Sequence, residues 1–183
     1  MLKKLALVVV AAALLAGCGS ASDGGSAAQP EGQTELSASR VKDYASLAEL
    51  RAESTAIVRG TVESSTGDKL NDLPVTISKL RVKKVLWGKV PSDVLAVQQA
   101  GDETMKLHDT GAILAKDREY LLFVKPFQLT PGKDTGRWLI TGDQGTFARS
   151  DDGVTFEFAG AGDPPELPRT LRVTAVESGT FLN

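Results

Sequence analysis

The chain has 183 residues, a formal net charge of −2, one histidine and one cysteine. A mildly acidic chain lacks the dense basic footprint that sequence-independent nucleic-acid binding requires. One cysteine excludes a disulfide within the chain, and one cysteine with one histidine excludes a Cys/His zinc site built from this chain alone. Composition is otherwise that of a globular protein with few aromatic residues.

The N-terminus reads MLKKLALVVVAAALLAGCGS. Lys3 and Lys4 form a positive leader, and Leu5 to Ala16 form an apolar run of 12 residues followed by Gly17. This is the layout of a secretory signal peptide. The run is too short to span a bilayer as a helix, which takes ~20 apolar residues. A plain signal peptide near a cysteine, or an uncleaved anchor, would share some of these features.

Leu15-Ala16-Gly17-Cys18 resembles the lipobox of bacterial lipoproteins at all four positions. The resemblance implies cleavage between Gly17 and Cys18, a diacylglyceryl group on the Cys18 thiol, and acylation (a palmitate-type chain) of the new amino group. It implies an extracytoplasmic protein held at a cell membrane, with the lipid bilayer as its first partner. Each buried CH₂ contributes ~0.8 kcal/mol, so two or more chains anchor firmly where one does not. Loss of Lys3 and Lys4 with the leader makes the mature chain more acidic.

Residues 18–40 read as the lipidated cysteine and a flexible linker, rich in Gly, Ser and Ala and unable to bury enough surface to order itself. Residues 41–183 read as one mainly β domain. Ser46-Leu47-Ala48-Glu49 fits a capping box and predicts a short helix over about 44–53. Ser54 to Ser64 alternates as a half-buried strand, with Gly60 marking a bulge or bend. Gly67 to Pro74 carries turn residues. Val75 to Leu86 predicts a long strand whose apolar phase slips twice, the first slip assigned to a bulge near Ser78 and Lys79. Trp87-Gly88 reads as a turn and Val94 to Gln98 as a strand.

Arg118 to Val124 is apolar without alternation from Leu121 onward, which predicts a strand covered on both faces. Arg137 to Thr141 and Val154 to Phe158 are further strands. Asp151-Asp152-Gly153 is a hairpin turn. Leu167 to Val176 fits a helix or a strand. Several short strands, one helix and an internal glycine favour a small, partly closed OB-like β-barrel over a sandwich.

The runs Ala48-Glu49 through Gly60-Thr61-Val62, Val82 through Trp87-Gly88, and Arg118 through Phe123 resemble small exported bacterial barrels. These are similar in outline to the OB-like domain of tissue inhibitors of metalloproteinases, over about positions 44–145. Those inhibitors block a catalytic zinc with a free N-terminal cysteine. A lipidated Cys18 far from the barrel does not carry that mechanism over.

Candidate sites are few. Lys79, Arg81 and Lys83 alternate along the long strand, with Lys84 and Lys89 nearby, as a basic stripe for anionic headgroups or cell-wall polymers or as a plain solvated face. Trp87 and Trp138 could line a ligand groove or plug a barrel end. His108, in a predicted loop beside Asp109, could act as a general base, but no nucleophile elbow accompanies it. Asp102, Glu103, Asp109, Asp143, Asp151, Asp152 and Glu157 show no spacing that singles out an acid/base pair or a calcium loop. No catalytic residue, metal ligand or cofactor motif is assigned. The expected role is binding of an envelope protein or cell-wall polymer, with a carboxylate- or histidine-dependent hydrolase as the alternative.

Overall fold

The computed structural model describes residues 42–102, 111–162 and 166–182, together with the backbone of 34–37 and 105–108. Cys18, the apolar run before it and most of the linker lie outside the described residues, as do Glu103 and Asp109. The chain divides into Met1–Pro30 and Glu31–Asn183, and all that follows concerns the second unit. Its strands are β1 (Thr34–Ser37), β2 (Ala56–Leu70), β3 (Leu73–Gly88), β4 (Val94–Ala100), β5 (Met105–His108), β6 (Glu119–Thr130), β7 (Lys133–Ile140), β8 (Thr146–Arg149), β9 (Thr155–Phe158) and β10 (Thr170–Arg172). Two helices, α1 (Leu47–Ala52) and α2 (Val173–Ser178), and 3-10 turns at Thr141–Asp143 and Thr180–Leu182 complete it.

Five strands close a ring in the order β2, β3, β4, β7, β6 and back to β2. Every pairing in it is antiparallel except β4 with β7, a parallel seam of Ala96, Val97 and Gln98 on Arg137, Trp138 and Leu139. β6 gives one edge to β2. Its other edge takes β8 over Tyr120–Leu122 and then β7 from Val124 onward. Through β8 the sheet continues to β9 and β10. The chain is therefore mainly β, with a ring of strands and one short helix ahead of it, as its sequence indicates.

Side chains alternate across a strand, and β6 uses both faces for burial. Tyr120, Leu122 and Val124 enter the core inside the ring, with Val58, Leu80, Val97 and Trp138. Leu121 and Phe123 enter a second core outside it, with Leu50, Phe147, Phe156 and Val176. Trp138 is buried in the inner core and fills the ring, so the plug reading holds and the groove reading does not. In the outer core the Phe147 and Phe158 rings meet edge to face at 5.6 Å, a favoured aromatic geometry.

The long β2–β3 hairpin turns at Asn71 and Asp72, both left-handed, as the tight turns of twisted hairpins require. The turn thus falls within the segment 67–74 that composition marks, with the strands running into it on both sides. The predicted bulge near Ser78–Lys79 lies on the partner strand: β2 shifts register between Val62, opposite Leu80, and Ser64, opposite Lys79, while β3 pairs β4 without a shift from Val75 to Arg81. The apparent slip arises because Thr76 and Ser78 are buried polar residues in phase with Leu80. Thr76 donates to the Gly101 carbonyl at 2.8 Å, and Ser78 bonds the Ser65 hydroxyl at 2.9 Å. The extra residues are Glu63 on β2, and Lys83 and Leu86 on β3. Gly60 sits between them because a Cβ there would stand 2.5 Å from the Arg81 carbonyl oxygen.

Ser46 caps α1 as predicted, accepting from the Glu49 N–H at 3.1 Å. Glu49 reaches back to Ala45 N–H, one residue before the cap, at 2.9 Å. The ambiguous tail is both things in turn, β10 followed directly by α2, which ends at left-handed Gly179. His108 ends β5, paired parallel with Ser37 of β1, and is not in a loop. β1 falls within the segment read as linker.

Phe123 carries no exposed surface, whereas Leu129 near the end of the same strand is 61% exposed. Phe123→Ala is expected to cost about 3–5 kcal/mol in urea unfolding, and Leu129→Ala under about 0.5 kcal/mol. Equal midpoints for the two variants contradict the two-core description.

Candidate functional site

β6 pairs β2 only from Ala56 to Thr61, so the far half of the β2–β3 hairpin extends past it as an arm. Arg137 on β7 ties the arm to the ring. Its guanidinium donates to Asp68 at 2.6 Å and to the side-chain amide oxygen of Gln98 at 2.9 Å. The Lys69 N–H and then Arg137 hold the Asp68 carboxyl below its ordinary range.

Between arm and ring lies a half-open cavity of about 600 Å³, within the size range of small-molecule sites. Leu70, Leu73 and Pro74 line it from the arm. From the ring comes a row across three neighbouring strands: Lys125 pairs Leu139, and Leu139 pairs Gln98. Phe127 adds an aromatic ring from β6. Leu73 remains 60% exposed although it sits in this apolar setting.

Lys42, Tyr44 and Glu53 form a polar part of the lining. Lys42 Nζ lies 2.8 Å from Glu49 and also pairs with Glu53, and it stands 5.1 Å from the centre of the Tyr44 ring. The Tyr44 hydroxyl donates to Glu53 at 2.8 Å. Bonds from Lys42 first, and then from the Ala45 N–H and the Tyr44 hydroxyl respectively, hold Glu49 and Glu53 below the ordinary carboxylate value. The two glutamates in turn raise Lys42. Burial, and then the bond to Glu53, pushes the Tyr44 phenol up to about 12. Tyr44 is anchored through its N–H, which donates to Gln144 at 3.0 Å, and Gln144 donates on to Asp43 at 3.1 Å. Left-handed Gly142 packs against it so closely that a Cβ would stand 2.2 Å from the Tyr44 ring.

The residues singled out by sequence are not gathered here. Of the basic stripe, Arg81 pairs with Glu63, and Lys83 reaches Glu119 at 3.1 Å. Glu119 is mostly buried and is also met by Arg59 at 3.0 Å and Arg149 at 3.1 Å. The Arg59 Nε and Glu119 Oε1 atoms are close in charge but lack hydrogen-bond alignment. Lys84 donates to the Glu177 carbonyl at 2.6 Å. Lys79 and Lys89 are exposed. Trp87, 37% exposed, stands at the opposite end of β3 from the arm's turn. Of the five, Arg81 and Lys83 are thus ion-paired and Lys84 bonds a backbone carbonyl, while Lys79 and Lys89 stand exposed.

Among the described residues, Asp143 is the one candidate carboxylate that lines the cavity. Asp151 and Asp152 occupy the β8–β9 turn, where the Ser150 hydroxyl and the Val154 N–H hold Asp152 below its ordinary value. Glu157 is exposed on β9, and Asp102 is half-exposed after β4. Among the described residues no three His, Cys, Asp or Glu side chains gather as a metal site, and no helix is long and apolar enough to cross a membrane. Sequence reasoning missed Tyr44, Gln98, Lys125 and Phe127. The alternation of Lys125, Phe127 and Leu129 was visible, but its partners come from strands far along the chain. No protein-family model matches the chain, and no curated protein matches it.

The carboxylates near Tyr44 contribute stability above their ordinary value of 4.5 and lose it as pH falls below that. Tyr44 contributes below its ordinary 10.0 and loses it as pH rises toward about 12. Lys42→Met is therefore expected to flatten the acid fall of melting temperature, and Tyr44→Phe the alkaline fall. Unchanged slopes in both variants contradict the paired cluster.

Proposed function

We propose that the chain is an exported, membrane-anchored lipoprotein whose ring domain binds an apolar ligand. The lipobox-like Leu15-Ala16-Gly17-Cys18 supports the anchor: cleavage after Gly17 and acylation of Cys18 place the domain on the extracytoplasmic side. The observation that carries the binding role is the cavity between the arm and the ring, open and apolar with Leu73 at 60% exposure. A fold gains by filling such space, at about 25 cal/mol per Å² of apolar surface removed from water. Leaving it open favours a ligand that supplies the missing surface.

The apolar lining favours a hydrophobic small molecule or an apolar segment of an envelope protein over a polar cell-wall polymer. Pairing within the Lys42, Glu49, Glu53 and Tyr44 cluster supports binding over general acid–base chemistry, because these groups are committed to one another.

Two experiments test the two halves. Cys18→Ala, expressed in a bacterial host, is expected to move the protein from the membrane fraction to the soluble extract; unchanged membrane retention refutes the anchor. Leu139→Trp places a large ring in the row between Lys125 and Gln98. It is expected to reduce binding of a polarity-sensitive naphthalene dye severalfold, with little change in melting temperature, and undiminished dye fluorescence refutes the cavity as the binding site.

A further inference from the structure

The cavity carries two side-chain donors, of Gln98 and Lys125, that donate a hydrogen bond to no described residue. Gln98 is 4% exposed and lines it. Its oxygen faces Arg137, a residue that can only donate, so the orientation of the amide is fixed and its NH₂ points away from Arg137. That NH₂ donates to no described residue, and it is not one of the buried polar atoms that lack a partner, so it opens onto the cavity that Gln98 lines. Lys125 is half-buried in the same lining and forms no ion pair among the described residues. Glu53 attracts it at longer range but is already bonded by Lys42 and Tyr44. By contrast Gln99, also in the lining, is satisfied at both ends, by the Ala112 carbonyl at 3.0 Å and the Leu114 N–H at 2.9 Å.

The two donors flank one apolar residue. Lys125 and Gln98 both pair with Leu139, from opposite sides, and neighbouring strands lie about 4.8 Å apart. An acceptor placed over Leu139 is within reach of both side chains. The surrounding surface from Leu70, Leu73 and Phe127 is apolar.

Resting on the binding role proposed above, we infer that the ligand is an amphipathic monocarboxylate, its carboxylate held by Lys125 and the Gln98 amide and its hydrocarbon body covered by the β2–β3 arm. A carboxylate is an acceptor on both oxygens, so it satisfies both donors at once, and the ammonium makes the stronger of the two bonds. An alcohol head offers a donor of its own and no charge. The arm's apolar residues contribute to either ligand alike.

Titration calorimetry of the purified full chain in detergent with decanoate and with decanol, both below their aggregation limits, tests this. Decanoate is expected to bind at least about tenfold more tightly than decanol. Lys125→Met should remove that advantage while leaving decanol binding and the melting temperature unchanged, and Lys125→Arg should restore it. Equal affinity for the two ligands, or an advantage that survives Lys125→Met, overturns the carboxylate assignment and leaves the apolar cavity reading standing. Binding of neither ligand overturns both.

Discussion

The middle of β6 is the constraint on which the architecture depends. Four consecutive apolar residues, Leu121 to Val124, are buried on alternating sides of one strand. A strand of this kind must have a layer on each face. The ring supplies one layer by closing on Leu122 and Val124. The outer layer is assembled from distant parts: Leu50 of α1, Phe147 and Phe156 of β8 and β9, and Val176 of α2. The short helices are held mainly by this packing, since six-residue helices have little stability of their own in water.

Beyond Val124 the same strand leaves both cores, and its outward residues become Lys125 and Phe127 of the cavity. The arm meets them because β2 runs on past its pairing with β6 and carries β3 with it. Arg137 stitches three elements together there, bonding Asp68 on the arm and Gln98 on β4 from its place on β7. At 32% side-chain exposure the Arg137–Asp68 pair adds little net stability. Its effect is positional: it fixes the arm beside the cavity and turns the Gln98 amide so that its donors face away from Arg137.

Much of the fold was legible because local signals agreed with tertiary ones. The Ser46 cap and the unalternating run in β6 each have a single physical reading, and both readings of Gly60, bulge or bend, mark the same irregular place in β2. The phase slip in β3 was misread because Thr76 and Ser78 look like outward residues; only the partners Gly101 and Ser65 make their burial possible. The tail resisted assignment because it changes from strand to helix within a few residues. The cavity was invisible for another reason. Gln98, Lys125 and Leu139 become neighbours only through the β4–β7 and β6–β7 pairings, and no local period encodes a row shared by three strands. The basic stripe was legible, but its ion partners Glu63 and Glu119 lie on other strands.

The parallel seam between β4 and β7 has a consequence for how the chain assembles. Three residue pairs close the ring, and they join segments about forty positions apart. During synthesis or threading, β3 and β4 can form as a local hairpin, but the outer edge of β4 stays bare until Arg137 to Leu139 arrive. An unpaired edge with Leu95 and Val97 beside it is a template for association with other chains. Late closure also slows folding, because a long loop must be ordered before the seam returns any stabilisation. The step most exposed to misassembly is therefore also the step that completes the row of Lys125, Leu139 and Gln98, so a chain that fails to close its ring has no assembled cavity either.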